Sequence, residues 1–115
     1  MKFKAKYIRG DVVKDNETYV LKDNTTLQRL VISSTQLHPE KSTRGHSHVG
    51  QEEVYHFISG RGVMEIKYDD GTEKIYDVES GDIVLVEDGA FHRVHNSSLK
   101  EDLYFVCVFE GKRNH

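Results

Sequence analysis

The sequence predicts an all-β domain, and three observations carry that prediction. No stretch keeps apolar residues at i, i+3 and i+4 through three helical turns. Short runs rich in Val, Ile, Tyr and Phe recur along the chain, and Gly, Asp, Asn and Ser gather between those runs. Branched and aromatic side chains suit a pleated, half-buried surface, so such runs read as strands.

The elements follow in order. Thr18–Leu21 is the first candidate strand, inside an N-terminal arm covering about residues 1–25, and Gln28–Thr35 is the second. Glu53–Ser59 and Gly62–Tyr68 come next, separated by Ser59-Gly60-Arg61-Gly62. Glu73–Val78 returns from Gly62–Tyr68 through Asp69-Asp70-Gly71. Asp and Gly tolerate the positive φ of a tight hairpin turn, which makes this the clearest hairpin in the chain. Asp82–Val86 follows Glu79-Ser80-Gly81, His92–Asn96 follows Glu87-Asp88-Gly89, and Leu103–Phe109 closes the series. Many short strands at even spacing indicate a sandwich or a barrel.

At 115 residues the chain is sized for a single domain, 1–115. It is 37% hydrophobic and 30% charged, and no run approaches the length of a membrane span. The net charge is −3 and the Lys and Arg residues are scattered, which argues against nucleic acid as a partner. The opening MKFKAKYIRG has positive charge but no apolar stretch behind it, so a cytoplasmic location is expected. Cys107 has no partner for an internal disulfide and reads as a packing residue inside Leu103–Phe109. The tail Arg113-Asn114-His115 reads as a frayed end.

The seven histidines invite a metal argument only where spacing supports one. In an extended segment His46 and His48 project to one side, about 7 Å apart, and can share an ion. Glu53 returns to the same place if Val49-Gly50-Gln51-Glu52 turns, which Gly50 makes easy. A fourth ligand must come from another strand, and His92 stands at the start of one. Three imidazoles and a carboxylate suit one divalent transition metal ion: Fe, Mn, Ni, Co or Zn.

These residues resemble the two motifs of the cupin superfamily. The first motif is HxH, four residues, Glu, six residues, Gly, and it is met by His46, His48, Glu53 and Gly60 over residues 46–60. The second is met over residues 81–96 by Gly81, Gly89, His92 and Asn96, with Glu87 where the motif has Pro. A further Gly, six residues before the first His, is here Glu40. Neither departure touches a ligand. The resemblance implies a jelly-roll β-barrel holding the metal near one open end, and a homodimer formed through an outer sheet face. It does not imply one reaction.

Alternation extends the site. Arg44, two residues before His46, and Tyr55, two after Glu53, are expected beside the ion, with Phe57 on the same face. A guanidinium suits a phosphate or carboxylate, and a phenol donates a hydrogen bond or a proton. His56 and His95 have the opposite parity to Glu53 and His92 and are expected outside the barrel. Tyr104 has no assignable side.

The favoured function is a metal-dependent sugar or sugar-phosphate isomerase or epimerase, with Arg44, Gln51 and Tyr55 as polar pocket residues and Tyr55 and Arg44 as the catalytic candidates. The partner is then a small molecule, anionic or carbohydrate. Two alternatives stand beside it: a non-haem iron dioxygenase, which calls for a more apolar pocket, and a cupin that binds metal and ligand without turnover.

Overall fold

The computed structural model describes residues 1–111, so the Arg113-Asn114-His115 tail lies outside the described residues. Among them are nine strands and no helix: β1 (Asp11–Asp15), β2 (Tyr19–Asn24), β3 (Leu30–Leu37), β4 (Glu53–Ser59), β5 (Arg61–Lys67), β6 (Glu73–Glu79), β7 (Ile83–Val86), β8 (Phe91–Asn96) and β9 (Leu103–Glu110). They form a six-stranded sheet in the order β1-β2-β3-β9-β4-β7 and a three-stranded sheet in the order β6-β5-β8, every pairing antiparallel.

Alternation explains how the two sheets share one core. In β4 the side chains of Glu53, Tyr55 and Phe57 are buried while Val54 is exposed, and in β8 His92, Val94 and Asn96 are buried between half-buried neighbours. Phe57, Phe105, Leu103 and Phe109 from the larger sheet meet Met64, Ile66 and Val94 from the smaller one, all at 2% exposure or less. Dispersion and removal from water both favour this aromatic-rich interior.

The expected hairpin at Asp69-Asp70-Gly71 joins β5 to β6, with Gly71 at φ 88° and its N–H donating to Tyr68 O. One strand was not expected: β1 lies in the segment read as an arm and pairs with β2 at the edge of the larger sheet. Asn16 builds the connection, its Oδ1 accepting from the N–H groups of Thr18 and Tyr19. In β1 only Lys14 is half-buried, so DVVKD carries no apolar alternation to reveal it.

The segment from Ala5 to Ile8 lies over the outer face of the same sheet. Asn24 Nδ2 donates to Ile8 O at 2.6 Å, Ile8 is fully buried, and the Tyr104 hydroxyl donates to Ala5 O at 2.8 Å. Tyr104 therefore faces outward, and burial pushes its phenol above the ordinary value.

Candidate metal centre

His46 and His92 meet on one rung. The N–H of each donates to the carbonyl of the other, at 3.2 and 3.0 Å, in an isolated antiparallel bridge. Such reciprocal pairs put both side chains on the same face, here the interior. Glu53, the first residue of β4, lies 3% exposed on that interior. One ligand atom from each of His46, Glu53 and His92 falls within 4.8 Å of the other two. The turn that brings Glu53 back is the expected one: Gly50 has φ 84°, and its N–H donates to Asp88 Oδ1 at 2.6 Å.

The protons on His92 follow from its neighbours. Nδ1 is 3.1 Å from Ala90 O, and a carbonyl can only accept, so Nδ1 carries a hydrogen. Its Nε2 faces Glu53 Oε1, 3.3 Å away, with both side chains at 3% exposure or less. A buried ring nitrogen and a carboxylate that face each other share a positive charge, which a proton or a metal ion supplies. A divalent ion meets that need, and the carbonyl behind His92 is the outer support that metal-bound imidazoles use. The donor set fits the ion predicted from the spacing.

His48 stands beside this triad rather than within it. Its ring centroid is 4.5 Å from that of His46, it is half-buried, and it lines the adjoining cavity. That cavity is about 800 Å³, and its inner wall includes Ser33, Thr35, Tyr55, Phe105 and Cys107. Tyr55 packs edge-on against His92 with ring centroids 5.5 Å apart. Cys107 is buried in the core cluster and also reaches the cavity.

Arg44 also lines the cavity, but not by the alternation that pointed to it. From His46↔His92 to Ser42↔His95 the chain takes four steps on one side and three on the other, so one residue is extra. Gly45, at φ 84°, marks this bulge, and a Cβ there would run into the Phe91 ring. Parity does not pass through it, and Arg44 is exposed at the cavity edge. Gln51 does not line the cavity: its Nε2 donates to Glu110 O at 3.1 Å, which draws the side chain to the end of β9. His95 lies on the outer side, between Ser42 Oγ at 2.6 Å and Glu65 Oε1 at 3.3 Å, and His56 is on the outer face of β4. Sequence reasoning missed the contribution of the N-terminal hairpin, whose Lys14, Asn16 and Tyr19 wall the same cavity.

A family model described as Cupin domain matches residues 34–109. The chain belongs to the cupin family. No curated protein matches it in sequence, but many solved structures match in fold. A formate complex of oxalate decarboxylase from Lactobacillus farciminis is 18% identical, with a TM-score of 0.79 over 95% of this chain and 32% of its own. An oxalate decarboxylase of Bacillus subtilis, studied for its Mn(II) centres, is 20% identical, with a TM-score of 0.80 over 91% and 29%. The capsular polysaccharide assembling protein CapF of Staphylococcus aureus is 17% identical, with a TM-score of 0.79 over 88% and 30%. The chain spans less than a third of the length of each of these structures. At these identities the likeness shows the jelly-roll fold.

The cupin motif positions that do not reach the cavity have structural reasons. Gly60 has φ 90°, and a Cβ there would meet Asp102 O. Asn96 is 5% exposed and ties three segments together: its Nδ2 group donates to the carbonyls of Leu37, His38 and Glu101, and its Oδ1 accepts from Ser98 N–H. Glu40, standing where the motif has Gly, still adopts φ 63°, so the backbone keeps the glycine conformation without the glycine.

Proposed function

We propose that this cupin is a metal-dependent enzyme acting on a small molecule, as an isomerase or epimerase of a sugar or sugar phosphate, with His48 joining His46, Glu53 and His92 as the fourth ligand. The observation that carries the reading is the polarity of the wall beside the triad, which Ser33, Thr35 and Tyr55 line. Substrate hydroxyls match such a wall better than the apolar surface of an aromatic substrate does.

When bound, the ion supplies Lewis acidity that draws electron density from a carbonyl and hydroxyl pair. The protein's own groups do the rest. Ser33 and Thr35 orient the substrate by hydrogen bonds, the Tyr55 phenol beside His92 passes a proton to or from the reacting carbon or oxygen, and Arg44 holds an anionic group at the cavity edge. The barrel wall excludes bulk water from the proton in transit.

The test is exchange with solvent. Protein loaded in turn with Mn(II), Fe(II) and Zn(II) is given a panel of sugars and sugar phosphates in deuterated water, and deuterium at carbon is read by NMR. Incorporation into one substrate, lost in Tyr55→Phe, supports the reading. Bound metal and bound sugar with no exchange favour a binding role without turnover, and oxygen consumption favours the dioxygenase.

A further inference from the structure

Outside the metal triad, three polar side chains are joined in a row on the smaller sheet. Ser42 Oγ lies 2.6 Å from His95 Nδ1, and His95 Nε2 lies 3.3 Å from Glu65 Oε1. They come from three segments: the loop leading to His46, β8 and β5. The backbone fixes both contacts. Ser42 and His95 oppose each other in an antiparallel bridge whose hydrogen bonds are made by their neighbours, Thr43 N–H to Val94 O and Asn96 N–H to Lys41 O. In a rung of that kind the opposed side chains come closest. Glu65 pairs with Arg93 and Val63 with His95, so Glu65 is the diagonal neighbour of His95, within reach of a long side chain.

The two ends of the row differ in chemistry. A carboxylate only accepts, so His95 Nε2 carries the hydrogen that points to Glu65, and in the neutral ring Nδ1 accepts from the Ser42 hydroxyl. Arg93 steadies the far end, with Nη1 3.8 Å from Glu65 Oε1 and Nε donating to Thr43 O at 3.1 Å. Ser42 is half-buried and lines the cavity, together with Thr43 and Arg44. Its N–H has no acceptor among the described residues, and the rung turns it away from β8. A nucleophile, a base within hydrogen-bond reach and a third group that orients the base are the roles that define a nucleophilic triad, whatever their order in the chain.

We infer that Ser42, His95 and Glu65 form such a triad, separate from the metal centre, which hydrolyses a carboxylic ester small enough for the cavity mouth. Ser42 Oγ attacks the ester carbonyl carbon while its proton passes to His95 Nδ1. The Ser42 N–H accepts the developing negative charge on the carbonyl oxygen. The bond to the alcohol breaks, and the alcohol leaves with the proton from His95. Water then attacks the acyl-serine through the same base, releasing the acid and restoring the hydroxyl. Glu65 is a positioning residue: it acts through His95 and touches no substrate.

The full chain, with and without chelator, is treated with a small phosphonofluoridate, and the adduct is located by peptide mass spectrometry. The bond from Ser42 Oγ to phosphorus forms, fluoride leaves and His95 takes the proton. Labelling of Ser42 is expected in both samples, slower by about 100-fold or more in His95→Ala, the usual contribution of a general base. Glu65→Gln should slow it by at least about tenfold, with circular dichroism and the thermal midpoint showing that the fold is kept. Ester hydrolysis that persists in chelator and is lost in Ser42→Ala completes the support. Absence of label on Ser42 in the wild type overturns the inference without recourse to any variant. So does labelling that chelator abolishes, or that proceeds equally fast in folded His95→Ala.

Discussion

Nε2 of His92 and Oε1 of Glu53 face each other at 3.3 Å, and both side chains are shut away from solvent. A divalent cation held at this place would be bound by both. His92→Ala and Glu53→Gln should each weaken Mn(II) or Zn(II) binding by more than about 100-fold, above the loss typical of outer supports. Calorimetric titration measures it, and a loss of less than tenfold in both variants would remove them from the ligand set.

His95 lies on the same strand but turns outward to Ser42 and Glu65. His95→Ala should leave metal affinity within about twofold and cost about 1 kcal/mol or less, since its hydrogen bonds are only partly buried. Equal losses of metal at His92 and His95 would mean that β8 presents both faces to the ion.

Asn96 satisfies three carbonyls and one N–H from a buried position. Asn96→Ala leaves these groups unpaired and should cost about 3 kcal/mol, read as a lower urea midpoint at unchanged slope. Asn96→Asp should do no better, because a carboxylate cannot donate to the carbonyls that Nδ2 serves.

Glu40 and Gly60 make a matched pair of opposite sign. Glu40 follows Pro39 with φ 63°, so Glu40→Gly relieves a left-handed side chain and should stabilise by about 0.5 kcal/mol after the added chain entropy. Gly60→Ala combines φ 90° with the Asp102 carbonyl in the space of the new methyl, and should cost about 2 kcal/mol or more. Urea unfolding of the two variants reads both signs.

Stripping the ion with a chelator should lower the melting temperature without unfolding the protein. Metal at about 100 times its dissociation constant adds about 2.7 kcal/mol. That corresponds to roughly 10 °C for a domain of this size. Differential scanning calorimetry checks the shift, and its absence in metal-supplied protein would count against the triad as a site.

The cluster of Glu53 and His92 was legible because β4 and β8 are regular: alternation runs unbroken from Glu53 to Phe57 and from His92 to Asn96, so parity alone separates His92 from His95 and Tyr55 from His56. Reading failed where the backbone gains a residue. At Gly45 the extra residue breaks the parity used for Arg44, and at Val13 it turns Lys14 toward a cavity that nothing in DVVKD announces. Gln51 misled for another reason: a long amide reaches whichever carbonyl is nearest, and here that is Glu110. Tyr104 waited on the N-terminal segment, whose contact with β9 spans nearly the whole chain.

The rung joining His46 to His92 is made of backbone hydrogen bonds, and the core beneath it is aromatic and aliphatic. A cation entering here would load onto a framework built by hydrogen bonds and packing, unlike that of a zinc finger, in which the metal drives the chain to fold. An ion arriving at a finished site competes only with other ions. Nitrogen and oxygen donors favour the later members of the first-row series whatever the reaction requires. The occupant of such a site would then be set as much by which metal the surroundings supply as by the donors themselves.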